Sequence, residues 1–87
     1  MINYSAKIKI MLKKGILDVQ GKTVENALNS MEFSNIHNVR IGKFVELTVS
    51  AQNKAEAQSI VEQACAKLIA NPIIEDYEIS LDEVIGE

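Results

Sequence analysis

The amino-acid sequence predicts an α+β fold: a β-α-β-β-α-β chain forming a two-layer sandwich, with a four-stranded antiparallel sheet carrying two helices on one face. Three observations predict it. Four segments alternate apolar and polar residues with period two, the signature of half-buried strands. Two others repeat apolar residues at spacings of three and four, as amphipathic helices do. Each strand has a single apolar face, so two helices are enough to cover one side of one sheet.

The first strand runs from Asn3 to Lys13, with Tyr4, Ala6, Ile8, Ile10 and Leu12 on one face and Ser5, Lys7, Lys9, Met11 and Lys13 on the other. Lys14 to Gly21 has two glycines and no period, which predicts a loop. Val24, Ala27, Leu28 and Met31 place a helix over about Lys22–Met31, ended by Ser34-Asn35. Ile36 to Ile41 is expected as a second strand, with Gly42-Lys43 as a type II′ hairpin turn into a third strand, Phe44–Ser50. Val45, Leu47 and Val49 face the core in that third strand. A long helix is expected over Asn53–Ala70, with Ala57, Ile60, Val61, Ala64, Cys65 and Leu68 as its apolar stripe. Gln52 or Asn53 caps its start, and Asn71-Pro72 stops it. The last strand is Ile73–Asp82, and Glu83 to Glu87 is expected to fray. The order is that of a ferredoxin-like sandwich, a single domain over residues 1–87.

Charge orders the strands. The polar face of strand one carries Lys7, Lys9 and Lys13, and those of strands three and four carry Glu46, Glu78 and Asp82. Opposite charges across neighbouring strands are favourable by ~0.2–1 kcal/mol per pair, so strand one belongs between strands three and four.

Composition narrows the function. At 87 residues there is room for one small domain, which buries only about 60–65% of its extended surface, and self-association would bury more. Net charge is −3 and pI about 5.1, against a nucleic-acid partner. Mean hydropathy is +0.03 and no apolar run approaches the ~20 residues of a bilayer span, against a membrane role. One cysteine cannot form an intrachain disulfide, and a cytoplasmic location is expected.

The chemistry-bearing residues are sparse. His37 is the only histidine, and without a second His or paired Cys it reads as a surface or strand-edge residue. Cys65, mid-helix near the apolar stripe, reads as a buried thiol. Glu75 and Asp76 point to opposite faces of their strand and do not make an acid–base pair. The Gly15…Gly21 loop lacks the residues of a P-loop or a dinucleotide fingerprint. Phe44, alone among acidic residues, does not make an RNA-stacking face. No nucleophile–base–orienter set can be assembled, so the residues by themselves describe a small module that binds a partner.

Three stretches carry a resemblance. They are Lys14-Gly15-Ile16-Leu17-Asp18-Val19-Gln20-Gly21, Val39-Arg40-Ile41-Gly42-Lys43-Phe44-Val45-Glu46-Leu47, and Leu68-Ile69-Ala70-Asn71-Pro72-Ile73-Ile74-Glu75-Asp76-Tyr77-Glu78-Ile79. In this order and spacing they resemble the PurS family, the small subunit of phosphoribosylformylglycinamidine (FGAM) synthase. The chain departs from the family at Lys14 and Val19, where the family often has proline.

The resemblance implies a non-catalytic subunit in purine biosynthesis, joining an ATP-using synthase subunit to a glutaminase subunit and supporting ammonia transfer between them. It implies a homodimer or higher oligomer, and no cofactor in this chain, with ATP and magnesium on the large subunit. It also points to a partner interface at the turns and element ends that the motifs occupy: Gly15, Leu17, Asp18, Gln20, Gly21, Arg40, Gly42, Lys43, Asn71, Pro72 and Glu75. Replacing Arg40 or Asp18 with Ala is expected to leave the fold intact. The rival from another class is a ligand-sensing module of ACT type, which shares the element order. An acylphosphatase-like enzyme is disfavoured because Lys14 to Gly21 has no arginine.

Overall fold

The sheet is built around its first strand. In the computed structural model, which describes residues 1–85, β1 (Ile2–Leu12) pairs antiparallel with both β2 (Lys43–Ala51) and β3 (Glu75–Glu83), giving the order β2-β1-β3. The charge argument locates β1 correctly: Lys7 lies opposite Glu46, and Lys9 opposite Glu78. On the other face Ala6 sits between Leu47 and Leu81, and Ile8 between Val45 and Ile79. This face is the core, closed by α2 (Lys54–Ala64), whose Ala57 and Val61 are buried against it with Cys65.

The expected four-stranded sheet is corrected to three strands, and the hairpin at Gly42-Lys43 is absent. Residues 36–41 join no ladder in the described chain. Their alternation is real, but two of their amides are already used: Val39 N–H donates to Glu25 Oε1 at 3.0 Å and Ile41 N–H to Asp18 Oδ2 at 2.8 Å. With side-chain carboxylates satisfying the backbone, no neighbouring strand is required. His37 therefore lies exposed in an irregular segment and not on a strand edge.

The expected layer of two helices is also corrected. α1 (Val19–Ser30) packs on no strand and not on α2 among the described residues. The molecule measures 52 × 31 × 15 Å with a radius of gyration of 16.9 Å. A compact chain of this length would have about 12 Å. α1 and the return segment 31–42 form an arm that accounts for the difference.

Local chemistry sets the helix ends. α1 begins three residues earlier than its apolar period suggests, because Asp18 Oδ1 accepts from Gly21 N–H at 2.8 Å and caps the first turn. Asn53 caps α2 in the same way, accepting from Glu56 N–H at 2.8 Å, and Glu56 returns the favour to Gln52 N–H at 3.1 Å. Beyond Ala64 the helix widens into a π turn, Cys65–Ile69, with Ala70 N–H donating to Cys65 C=O at 2.9 Å. That wider turn falls behind the 3.6-residue period and carries Leu68 off the buried face. Leu68, expected in the core stripe, is 87% exposed, and Ile60 is exposed as well. Cys65 is fully buried, as expected, and burial pushes its thiol pKa up, with Glu62 adding to the effect. At the C-terminus the strand outlasts the expected fray: Glu83 pairs with Tyr4, and Val84 N–H donates to Asn3 C=O at 2.9 Å. The part of that expectation falling on Gly86 and Glu87 lies outside the described residues.

Candidate functional site

The end of β1, the start of α1 and the starts of β2 and β3 converge at one end of the sheet. Asp18 ties two of these together. Its Oδ1 caps α1, its Oδ2 holds Ile41 N–H just ahead of β2, and it has Arg40 as a charged neighbour. The Arg40 guanidinium donates to the carbonyl of Leu12 at the end of β1. Gly21 is buried in the first turn of α1, and a Cβ there would overlap the Val39 carbonyl and the Asp18 carboxylate. Gly42 lies as tightly over β1, where a Cβ would overlap the Ile10 carbonyl and the Met11 sulfur. These two glycines are where the return segment touches its neighbours through backbone alone.

Glu75 organises the β3 side. Its Oε1 accepts from Asn71 N–H at 2.7 Å and its Oε2 lies 3.3 Å from Lys43 Nζ, with the Glu75 side chain only 12% exposed. Asn71 Oδ1 in turn accepts from Ile73 N–H at 3.1 Å, so Asn71-Pro72 forms a closed turn into β3. One pair further out, Lys13 Nζ reaches Asp76 Oδ1 at 3.1 Å.

These groups surround a cleft of about 320 Å³, and the structure brings Leu17, Asp18, Gln20, Gly42, Lys43 and Glu75 to it from three separate stretches of sequence. Ile10, Leu12, Val19 and Ile41 add apolar lining. Gly15 and Arg40 line a neighbouring cleft with Lys14 and Asn38, and Gly21, Asn71 and Pro72 line neither. The sequence-based set missed Glu25, whose carboxylate holds Val39 N–H; nothing in the local pattern of the helix marks it.

The chemistry available here is binding. Both carboxylates are engaged by backbone amides, and neither His37 nor Cys65 lines the cleft. Around these tied polar groups stand exposed apolar side chains, with Leu17 at 76% and Val19 at 64%. Fixed polar groups beside exposed apolar side chains make a preorganised docking surface. Asp18 is also more than a surface residue, and its replacement is not neutral to the fold: it caps α1 and ties the helix start to the return segment through two backbone bonds.

The same bonds set a pH dependence. The Gly21 and Ile41 amides, and then Arg40, hold the Asp18 carboxyl below its ordinary 3.8. The Asn71 amide, and then Lys43, hold Glu75 below its ordinary 4.5. A depressed carboxylate stabilises the fold above its unfolded pKa, and that stabilisation is lost as pH falls through the folded pKa. Urea midpoints are therefore expected to hold near neutral pH and to fall once pH drops below these ordinary values. Asp18→Asn should start less stable at pH 7 and show a flatter acid limb; an acid limb identical to wild type would remove Asp18 from this account.

Comparison with known proteins places these features in a family. The family model described as PurS, phosphoribosylformylglycinamidine (FGAM) synthase, matches residues 5–83. The chain is 39% identical over 84 residues to the phosphoribosylformylglycinamidine synthase subunit PurS of Bacillus subtilis, covering 97% of this chain and 99% of that protein. It is similar to the crystal structure of Methanocaldococcus jannaschii PurS, one of the subunits of formylglycinamide ribonucleotide amidotransferase in the purine biosynthetic pathway. The TM-score there is 0.82 at 38% identity, covering 93% of this chain and 98% of the other. It is also similar to a chain of the PurLQS structure from Thermotoga maritima, with a TM-score of 0.84 at 32% identity, covering 97% and 100%.

Proposed function

The chain belongs to the PurS family, subunits of FGAM synthase in purine biosynthesis, and from that premise we propose that it is the non-catalytic adaptor of that complex, joining the ATP-using synthase subunit to the glutaminase subunit. The likeness over its whole length to a chain of the Thermotoga maritima PurLQS structure supports the assembly role. The observation that carries the adaptor reading is the cleft at the sheet end, where both carboxylates are bound to backbone amides and apolar side chains beside them are exposed. Such a surface is suited to docking a partner.

The chemistry served is the conversion of formylglycinamide ribonucleotide, glutamine and ATP to the formylglycinamidine ribonucleotide, glutamate, ADP and phosphate. Ammonia released from glutamine protonates and diffuses away unless the two larger sites are held in register. Holding that register is the work assigned to this chain, with ATP and magnesium on the large subunit. No helix of the described residues is long and apolar enough to cross a membrane; the complex is assigned to the cytoplasm, and the chain itself to a homodimer or higher oligomer.

Reconstitution tests the adaptor reading. With the large synthase subunit and the glutaminase, glutamine-dependent product formation is expected to require this chain, while ammonia-dependent formation by the large subunit persists without it. Arg40→Ala, used at limiting small subunit, should weaken only the glutamine-dependent rate. Turnover of glutamine or ATP by the purified chain alone, abolished by a point substitution in it, would overturn the reading.

A further inference from the structure

The polar face of the sheet holds a cleft that the docking surface does not use. Its volume is about 450 Å³, within the ~300–1,000 Å³ of small-ligand sites. Lys9 and Met11 of β1, Asp76 and Glu78 of β3, and Lys14 and Arg40 from the connecting chain line it. Strand alternation puts the first four on the side that α2 does not cover. Lys9 lies opposite Glu78 and Met11 opposite Asp76, while their neighbours Ile8 and Ile10 are buried in the core. Charge in this cleft is unevenly satisfied. Asp76 is taken by Lys13, 3.1 Å away. Lys9, Lys14 and Arg40 ion-pair with no carboxylate among the described residues, and Glu78 pairs with no cation there. Three unpaired cations thus share the cleft with one unpaired carboxylate. The chain as a whole carries −3 and repels anions, so an anion held here is held by the cleft itself.

Arg40 is the fixed member of the set. Its guanidinium donates to the Leu12 carbonyl, and the next residue is held by Ile41 N–H to Asp18 Oδ2 at 2.8 Å. One nitrogen is anchored to the backbone, and the remaining N–H groups of the planar fork stay available. A fork fixed before binding loses little freedom when it binds. Lys9 and Lys14 are point charges on flexible stems that can close on the same anion. We propose that this cleft binds the phosphate group of a small phosphate monoester, with Arg40 as its bidentate anchor, Lys9 and Lys14 as charge partners and Met11 against the organic part. A phosphate has three terminal oxygens, enough for the fork and both lysines at once, whereas the two oxygens of a carboxylate are filled by the fork alone. The proposal concerns this chain's own surface and stands apart from the adaptor reading.

Calorimetric titration of the full-length chain at low salt tests this, with ribose 5-phosphate, inorganic phosphate and acetate as probes. Ribose 5-phosphate is expected to bind saturably, more tightly than inorganic phosphate, and acetate not to bind at the same concentrations. No saturable binding of ribose 5-phosphate, or acetate bound as tightly, overturns the proposal; inorganic phosphate bound as tightly overturns the monoester. Lys14 is exposed and outside every ion pair of the described residues, so Lys14→Ala leaves the fold intact. It should raise the ribose 5-phosphate dissociation constant about tenfold, the loss of one charged hydrogen bond. Lys67→Ala removes the same charge from the exposed π turn outside the cleft and should leave the constant unchanged. Equal losses in the two variants would mean attraction to net charge alone and overturn the site. Arg40→Lys keeps the charge without the fork and should also weaken binding about tenfold; unchanged affinity overturns the anchor. Glu78→Gln removes the unpaired carboxylate and should tighten binding, and weaker binding would place the phosphate elsewhere. Glutamine-dependent synthesis is not the readout, so a negative result here leaves the adaptor reading standing.

Discussion

Ile8→Ala is expected to cost about 2–5 kcal/mol, the range for deleting a large aliphatic side chain from a packed core. Ile8 is 0% exposed, on the central strand, between Val45 on one side and Ile79 on the other, so its neighbours on both strands would face a cavity. A domain of this size has roughly 4–13 kcal/mol in total, so the substitution removes a large share of it. Leu68→Ala is the companion measurement. The apolar stripe of α2 makes Leu68 and Val61 equivalent in sequence, but the π turn leaves Leu68 87% exposed and Val61 1% exposed. Leu68→Ala should therefore stay within about 0.5 kcal/mol. Urea unfolding of both variants checks the pair, and equal losses would mean that the π turn does not rotate Leu68 outward in solution.

Gly21→Ala is the second large effect. Alanine is the better helix former, and on propensity alone the change would stabilise α1 by close to 1 kcal/mol. Here the added methyl meets the Val39 carbonyl and the capping carboxylate of Asp18, both backbone-tied groups with little room to move. Overpacking of this kind costs about 1–3 kcal/mol, which outweighs the propensity gain. The damage should be local. Val39 and Ile41 amides lose their carboxylate partners and exchange faster with solvent, while the β1 ladder from Tyr4 to Ile10 keeps its protection. Faster exchange throughout the sheet, or none at Val39 and Ile41, would show that the arm is not an independent unit.

Much of this protein is readable in its sequence because the information is local. Period-two alternation identified β1, β2 and β3 to within two residues, and the Lys7, Lys9, Glu46, Glu78 charges placed β1 in the middle. Asn53 and Asn71-Pro72 bounded the long helix through capping and proline sterics. The three motifs pointed to the family, and eight of their residues meet at one cleft. What the sequence could not show is where a backbone amide finds its partner. Ile36–Ile41 alternates like a strand, but whether it joins a ladder depends on Asp18 and Glu25, some 14 to 23 positions away, reaching its amides first. The helical period of α1 predicts an apolar face but not what covers it, because covering is a property of packing and not of spacing. Leu68 follows the same logic: a single widened turn, invisible in the pattern, decides which way it points. Local periodicity and charge determined the elements and their order, while the long-range competition for hydrogen bonds decided that three strands form and that α1 stands away from them.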